Sequence, residues 1–375
     1  MTNALHSLLS SYREAAQSQL EKGKYFENLC RAFLLNDPLQ QDQYSDVWPY
    51  EDWAKEHGWK PNDTGIDLVA KLRHEEGFCA IQCKFYAETH RIQKPDLDSF
   101  LSTSGKEPIK RRLIIDSTRM AWGPNAEATI KDQTIPVTRM NLDALENSPI
   151  DWAIFAQTKE VRLIEKKELR DYQAEVLQSV RDGFAKNDRG KIIMACGTGK
   201  TLTSLRIAED QAGLGKTVLY LVPSLALMAQ TVTEWSNDAV LSIHAFAACS
   251  DSKVGKRRIG NADAVADVDI HDLAFPATTD PQKIAQKIAH RHDNEHMTVV
   301  FSTYQSIQVI SDAQHKHGLP EFDLIICDEA HRTTGVTLAT EDDSNFVKVH
   351  DQSVIASKKR LYMTATPRIF NDNVK

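Results

Sequence analysis

The stretch Lys191–Thr201, KIIMACGTGKT, holds the residue types that can grip a phosphate chain. Gly197 and Gly199 permit a tight turn around Thr198. Backbone N–H groups of that turn and of the helix after it would hold the phosphates, with Lys200 reaching the outer two and the Thr201 hydroxyl on Mg²⁺. Such a loop needs a strand before it and a helix after it. Lys191 to Met194 is a short apolar run that reads as a buried strand, and helical periodicity begins at Leu202. Met194 stands where the commonest form of the loop has its first glycine. A glycine turn ahead of a helix is ordinary in itself, but GxGKT in this setting makes ATP the expected ligand.

A second group supplies the acid and base that such a ligand requires. Leu324, Ile325, Ile326 and Cys327 form an apolar run closed by Asp328 and Glu329, as expected of a central parallel strand buried on both faces. Ligands of open α/β sheets bind at the carboxyl ends of the strands. There Asp328 can hold Mg²⁺ through water, and Glu329 can orient and deprotonate an attacking water. An acidic strand end on its own is more often a helix cap. The phosphate loop upstream favours the chemical role.

A third group lies near the front of the chain. GIDLVAKLR, the polar turn HEEG and FCAIQCKFY read as two strands joined by a four-residue loop. Alternation places Ile81, Cys83 and Phe85 on one face, and Ala80, Gln82, Lys84 and Tyr86 on the other. With Arg73 opposite Phe78, Asp67 faces Lys84 and Val69 faces Gln82, so that Asp67, Gln82 and Lys84 share one surface. Asp67 and Gln82 offer hard oxygens to Mg²⁺, and Lys84 can position water and neutralise developing charge, a set suited to phosphodiester hydrolysis. A surface salt bridge fits the same geometry.

Two resemblances connect these groups. RDYQ from Arg170, the phosphate loop, LVPSLALMAQ from Leu221, FSTYQS from Phe301, DEAH from Asp328 and TATP from Thr364 resemble, in order, the motifs of superfamily 2 helicases and translocases. The resemblance implies that Arg170 and Gln173 approach the adenine and that Ser224 and Thr303 touch the nucleic-acid backbone. It also implies that His331, with Thr364 to Thr366, links hydrolysis to movement. Asp67 with Gln82-x-Lys84, preceded by a helix carrying Glu27 in KYFENLCRAFL, resembles the Mrr-type branch of the PD-(D/E)xK nucleases, where Gln replaces the usual acid. That likeness implies that Glu27 joins the site. A neutral ligand binds Mg²⁺ less strongly than a carboxylate, so the site is expected to need DNA for completion.

The elements that must position these residues imply an α/β chain of two domains. The first, residues 1–150, is expected to be an Mrr-like nuclease with a mixed sheet flanked by helices, including strands at RRLIIDS and TIPVTRM and a helix from Pro95 to Leu101. Residues 151–168 are expected as a linker. Residues 169–375 should form one RecA-like lobe around a parallel sheet, with residues 251 to 280 as a long irregular stretch. At 375 residues each domain can hold its own core. This order resembles the amino-terminal part of the single-polypeptide type ISP restriction-modification enzymes, relatives of type I systems. It implies translocation on double-stranded DNA and cleavage when motors collide. A second lobe, a coupling region, a methyltransferase and a target-recognition domain follow in that family.

Net charge is −7, which excludes a generally basic DNA-binding chain. Local patches would have to serve, such as Lys110 to Arg112, Lys253 to Arg258 and Lys358 to Arg360, although solvated faces are the commoner meaning of such runs. The six cysteines lack paired spacing, so reduced, buried thiols in a cytoplasmic protein are expected. His290, His292 and His296 read as a polar helix end, Thr279-Asp280-Pro281 as a helix start, and Trp48, Tyr50, Trp53 and Trp59 as packing. No signal peptide or membrane span is read in the sequence. Two other readings stand beside restriction: a repair or plasmid-encoded helicase-nuclease without a methyltransferase, and a nucleotide-sensing DNA-binding module with an inactive nuclease site. An RNA helicase is a third. The chain stops at Lys375, just beyond TATP, whereas motors of this kind take arginines for phosphoryl transfer from a second lobe. The 375 residues alone are therefore expected to bind ATP-Mg²⁺ and hydrolyse it very slowly. Rapid DNA-stimulated phosphate release by this chain would contradict that expectation.

Overall fold

The computed structural model describes residues 4–16, 18–61, 65–131, 133–249, 273, 277–330 and 347–365. His331, Thr366 and the run Lys253 to Arg258 lie outside the described residues. The chain divides into two compact units that part between Glu165 and Lys166.

The first unit is built on five strands, β1 (Tyr44–Pro49), β2 (Leu68–Leu72), β3 (Phe78–Lys84), β4 (Ile109–Asp116) and β5 (Val137–Met140), paired in sequence order. The first three run antiparallel and the last three parallel, giving the expected mixed sheet. β1 was not expected from the sequence. Strand alternation sends Leu68, Ala70, Cys79 and Ile81 to one face, against Phe26, Leu29, Cys30 and Phe33 of the helix Gln19–Asn36. Val69, Ala80 and Ile114 face the other way, toward Trp53, Leu97 and Phe100. Trp53 is fully buried, stacks on His57 and meets Trp59 and Phe78 edge-on, so the aromatic group packs a core.

The hairpin departs from the expected register. Leu68 faces Ile81 and Lys71 faces Phe78, so Asp67 is aligned with Gln82 rather than with Lys84. The reason lies in the loop. Arg73 N–H donates to Gln43 O instead of joining the ladder, and Leu72 N–H closes onto Gly77 O. Gly77 has φ +112°, and a Cβ there would lie 2.9 Å from the Pro108 carbonyl oxygen, so only glycine makes this turn. A shift of two residues preserves the alternation, so Gln82 and Lys84 keep a common side.

The expected linker is also corrected. Asp151 caps the helix Trp152–Thr158, whose Trp152 and Phe155 enter the first core, and Ile150 bridges to Leu163. Residues 151–165 thus belong to the first unit.

Among the described residues the second unit holds seven strands: β6 (Arg189–Ile193), β7 (Thr217–Val222), β8 (Ile243–Ala248), β9 (Ala277–Thr278), β10 (Met297–Thr303), β11 (Phe322–Cys327) and β12 (Ser357–Thr364). Their order is β6-β12-β11-β7-β10-β8-β9, and all pairs are parallel. β7 and β10 are buried along their whole length, which is why their sequences are continuous apolar runs. Asp280 caps the helix Pro281–Arg291, as the sequence indicates. Placing β6, β12 and β11 side by side brings the phosphate loop, Thr364 and Asp328 to one edge of the sheet.

Two basic runs proposed as DNA patches are engaged internally. Arg112 is buried against Ser104 Oγ, Leu101 O and Gln133 Oε1, while Arg111 bonds Gln43 and Glu75. Arg360 is buried among Ser357 Oγ, Val349 O, Ile355 O and Gln352 Oε1, and Lys358 pairs with Asp323. Because both runs lie on strands, alternate side chains must turn inward.

Asp37 caps the helix Pro38–Gln41 from a buried position, accepting N–H bonds from Leu39 and Gln40. Burial pushes its carboxyl from 3.8 up to about 7. Folding therefore favours the protonated form. That contribution is whole below the unfolded value and is lost as pH rises through about 7. Asp37→Asn keeps an acceptor that cannot ionise. It should raise thermal stability at pH 8 by about 2 kcal/mol and give no advantage at pH 4, as compared by melting curves at the two pH values.

Candidate functional site

The nucleotide half of the site begins where β6 ends. Gly197 and Gly199 both have φ +76°, so the loop turns through conformations that suit glycine alone, and the helix Lys200–Gln211 starts at once. Thr198 Oγ1 donates to Ala195 O, which closes the loop on itself. Three side chains that the motif does not mention brace it. Tyr172 Oη and Gln173 Nε2 both donate to Thr198 O, and Trp235 Nε1 donates to Thr201 O. Gln173 is buried, bonds Gly199 O as well, and accepts Arg170 N–H through Oε1. Its carboxamide is thus occupied in holding the loop, and its expected approach to adenine would require an exchange of partners. Arg170 is exposed beside it.

The acidic half emerges from β11. Lys200 Nζ lies 2.5 Å from Glu329 Oε1, joining residues 129 apart in sequence. Asp328 is buried, and burial raises its carboxyl above the ordinary range, a shift that the Glu329 N–H and the Lys200 charge partly offset. A buried carboxylate in that condition gains from a cation. Thr364 is buried at the end of β12, and its carbonyl accepts Met194 N–H. Ser224 caps the helix Leu225–Asp238, and Thr303 Oγ1 bonds Ser306 Oγ while buried, so both hydroxyls expected on nucleic acid have internal partners.

In the first unit the hairpin and the helix Gln19–Asn36 supply the other expected set. Cys83 N–H donates to Asp67 Oδ2 at 2.6 Å, and Gln82 Nε2 donates to Gly65 O at 2.9 Å. Gln82 is 2% exposed, yet its Oε1 has no hydrogen-bond partner among the described residues. A buried carbonyl oxygen left bare is costly unless something polar meets it, and a divalent cation would do so. Glu27 pairs with Lys24 at 3.1 Å. Burial works to lower the Lys24 ammonium, but the bond to Glu27 and the charges of Glu27, Asp67 and Glu51 outweigh it and raise it. Lys24 thus senses Glu27 and Asp67 together across the sheet edge, and the sequence reading passed over it. Lys84 stands at the end of β3, opposite Asp116 of β4.

One histidine group deserves a metal test by geometry. His296 and His244 both bond Asp293, but their rings stack at 3.9 Å and 17°. Each ring nitrogen's lone pair lies in its own ring plane, and two nearly parallel planes that far apart do not converge on one ion. Four of the cysteines are buried, Cys83 is half-buried and Cys196 is exposed in the phosphate loop, and none is in a disulfide.

These two constellations, a hairpin with Asp67, Gln82 and Lys84 and a parallel-sheet phosphate loop, define a nuclease domain followed by a helicase-type ATPase lobe. A family model described as the res subunit of Type III restriction enzymes matches residues 166–369, and a restriction endonuclease model matches residues 35–162. The chain belongs to the Type III restriction enzyme res-subunit family, with a restriction endonuclease domain in front. Its fold is similar to that of the ATP-dependent Type ISP restriction-modification enzyme LlaBIII bound to DNA. That match has 38% identity and a TM-score of 0.81, covering 98% of this chain and 23% of that one. A nuclease-deletion mutant of the Type ISP enzyme LlaGI, in complex with a DNA substrate mimic, matches with 43% identity and a TM-score of 0.43, over 54% of this chain and 18% of that one. A probable helicase of African swine fever virus is 31% identical over 221 residues, 58% of this chain and 21% of the relative. The chain thus spans about a fifth of the length of these relatives. Both domain types use ATP or a divalent metal in general. No described helix is long and apolar enough to cross a membrane.

Gln82→Glu should sharpen the metal test. A second carboxylate at a buried position beside Asp67 lowers the melting temperature in EDTA, and a divalent metal restores it. A melting temperature that manganese leaves unmoved in this variant would rule against a cation at Gln82.

Proposed function

We propose that this chain is the cutting and driving portion of a DNA restriction enzyme, with Mg²⁺-dependent phosphodiester cleavage in the first unit and ATP hydrolysis for movement on duplex DNA in the second. The observation that carries the nuclease reading is the buried Oε1 of Gln82, without a hydrogen-bond partner among the described residues, on the hairpin that holds Asp67.

The residues fit the ions. Asp67 and Gln82 Oε1 would hold one Mg²⁺, and the Thr201 hydroxyl with Asp328 another. Bound there, Mg²⁺ would neutralise charge on the reacting phosphate oxygens. The chain supplies the rest. Lys84 adds positive charge at the scissile phosphate and orients water. Glu27, held by Lys24, keeps a carboxylate at the same edge. In the second unit Lys200 is the charge on which the outer phosphates would settle. Doing so releases Glu329 to orient water and take its proton. The res-subunit match and the similarity to LlaBIII, whose structure is bound to DNA, support restriction over a repair enzyme and DNA as partner. A methyltransferase and a target-recognition domain are proposed as partners in the same system.

Supercoiled DNA with Mg²⁺ tests the assignment. Asp67→Ala and Lys84→Ala should each reduce nicking to the level without protein while leaving fluorescent ATP binding intact. Trace nicking that persists unchanged in both variants removes the nuclease assignment.

A further inference from the structure

Tyr304 opens the short 3-10 turn Tyr304–Ser306 after β10, two strands away from β11 in the sheet. Its ring is fully buried, and its hydroxyl donates to the Asp328 carbonyl at 2.7 Å. That carbonyl belongs to the peptide joining Asp328 to Glu329. Glu329 itself has φ +49°, a left-handed conformation that residues other than glycine keep only where their surroundings enforce it. Two of the enforcing contacts are local to the site: Glu329 N–H bonds Asp328 Oδ1 at 2.9 Å, and its carboxylate meets Lys200. Tyr304 supplies a third from another element, and it fixes the peptide from the carbonyl side. We propose that Tyr304 is a positioning residue for ATP hydrolysis, its hydroxyl holding the Asp328–Glu329 peptide in the orientation that aims Glu329. This inference rests on the ATPase reading of the second unit. Burial pushes the Tyr304 hydroxyl well above its ordinary value, so it stays a donor across the neutral range. Neither the phosphate loop nor the DEAH run contains Tyr304, so the motifs alone give it no part in hydrolysis.

The test is single-turnover phosphate release by the full chain with duplex DNA present, followed long enough to resolve slow hydrolysis, in the wild type, Tyr304→Phe, Glu329→Gln and the double variant. Phenylalanine keeps the ring and removes only the hydroxyl. Tyr304→Phe should slow hydrolysis about five- to tenfold, while ATP affinity changes by less than about twofold. In the Glu329→Gln background it should have no further effect, because its action passes through that carboxylate. A wild-type rate equal to that of Glu329→Gln would overturn the ATPase reading and the inference with it. A wild-type rate above Glu329→Gln, with Tyr304→Phe at the wild-type level, would overturn the role of Tyr304 alone. So would a loss of ATP affinity in Tyr304→Phe as large as its loss of rate.

Discussion

The contact between Lys200 and Glu329 is the constraint around which the second unit is arranged. It can form only if the phosphate loop and the end of β11 lie at the same sheet edge, which requires β12 between them and every strand parallel. Parallel strands need crossovers, and the crossovers place helices on the faces, so the strands must be apolar on both sides. The all-buried runs of β7 and β10 follow from that demand. Gly197 and Gly199 let the loop bend tightly enough to present Lys200, and Tyr172, Gln173 and Trp235 keep it bent. One ion pair thus reports on strand order, loop conformation and acid placement at once.

The first unit is governed by a different economy. Its sheet is covered on both faces, and a polar side chain within it must find partners. Arg112 does so with all three of its guanidinium nitrogens. Among the described residues Gln82 does so with its amide nitrogen and not with its oxygen. The contrast between two buried polar residues on neighbouring strands is what the proposed metal role of Gln82 would resolve. Lys24 completes the electrostatics by bringing one positive charge to Glu27 and Asp67.

Much of this was legible in the residues. GxGKT, the acidic end of β11 and the alternation that puts Gln82 and Lys84 on one side are local patterns, and local patterns survive folding. The cap at Asp280 is of the same kind. What escaped depends on partners distant in sequence. The hairpin register was missed by two residues because Arg73 bonds Gln43 rather than its own ladder. β1 hid behind a proline and an aromatic run. The run from 151 to 165 looked like a linker because its charges masked Trp152 and Phe155 as anchors. Arg112 and Arg360 looked like surface charge until strand alternation turned them inward. His331 and Thr366 lie outside the described residues, and their parts in the motor stay with the resemblance that named them.

Anomalous diffraction from crystals grown with manganese and a non-hydrolysable ATP analogue addresses the central claim most directly. The account predicts two peaks, one bound by Asp67 and Gln82 Oε1 and one beside Thr201 and Asp328. A peak at the phosphate loop with none at the hairpin, Gln82 Oε1 being bonded to protein instead, would contradict it.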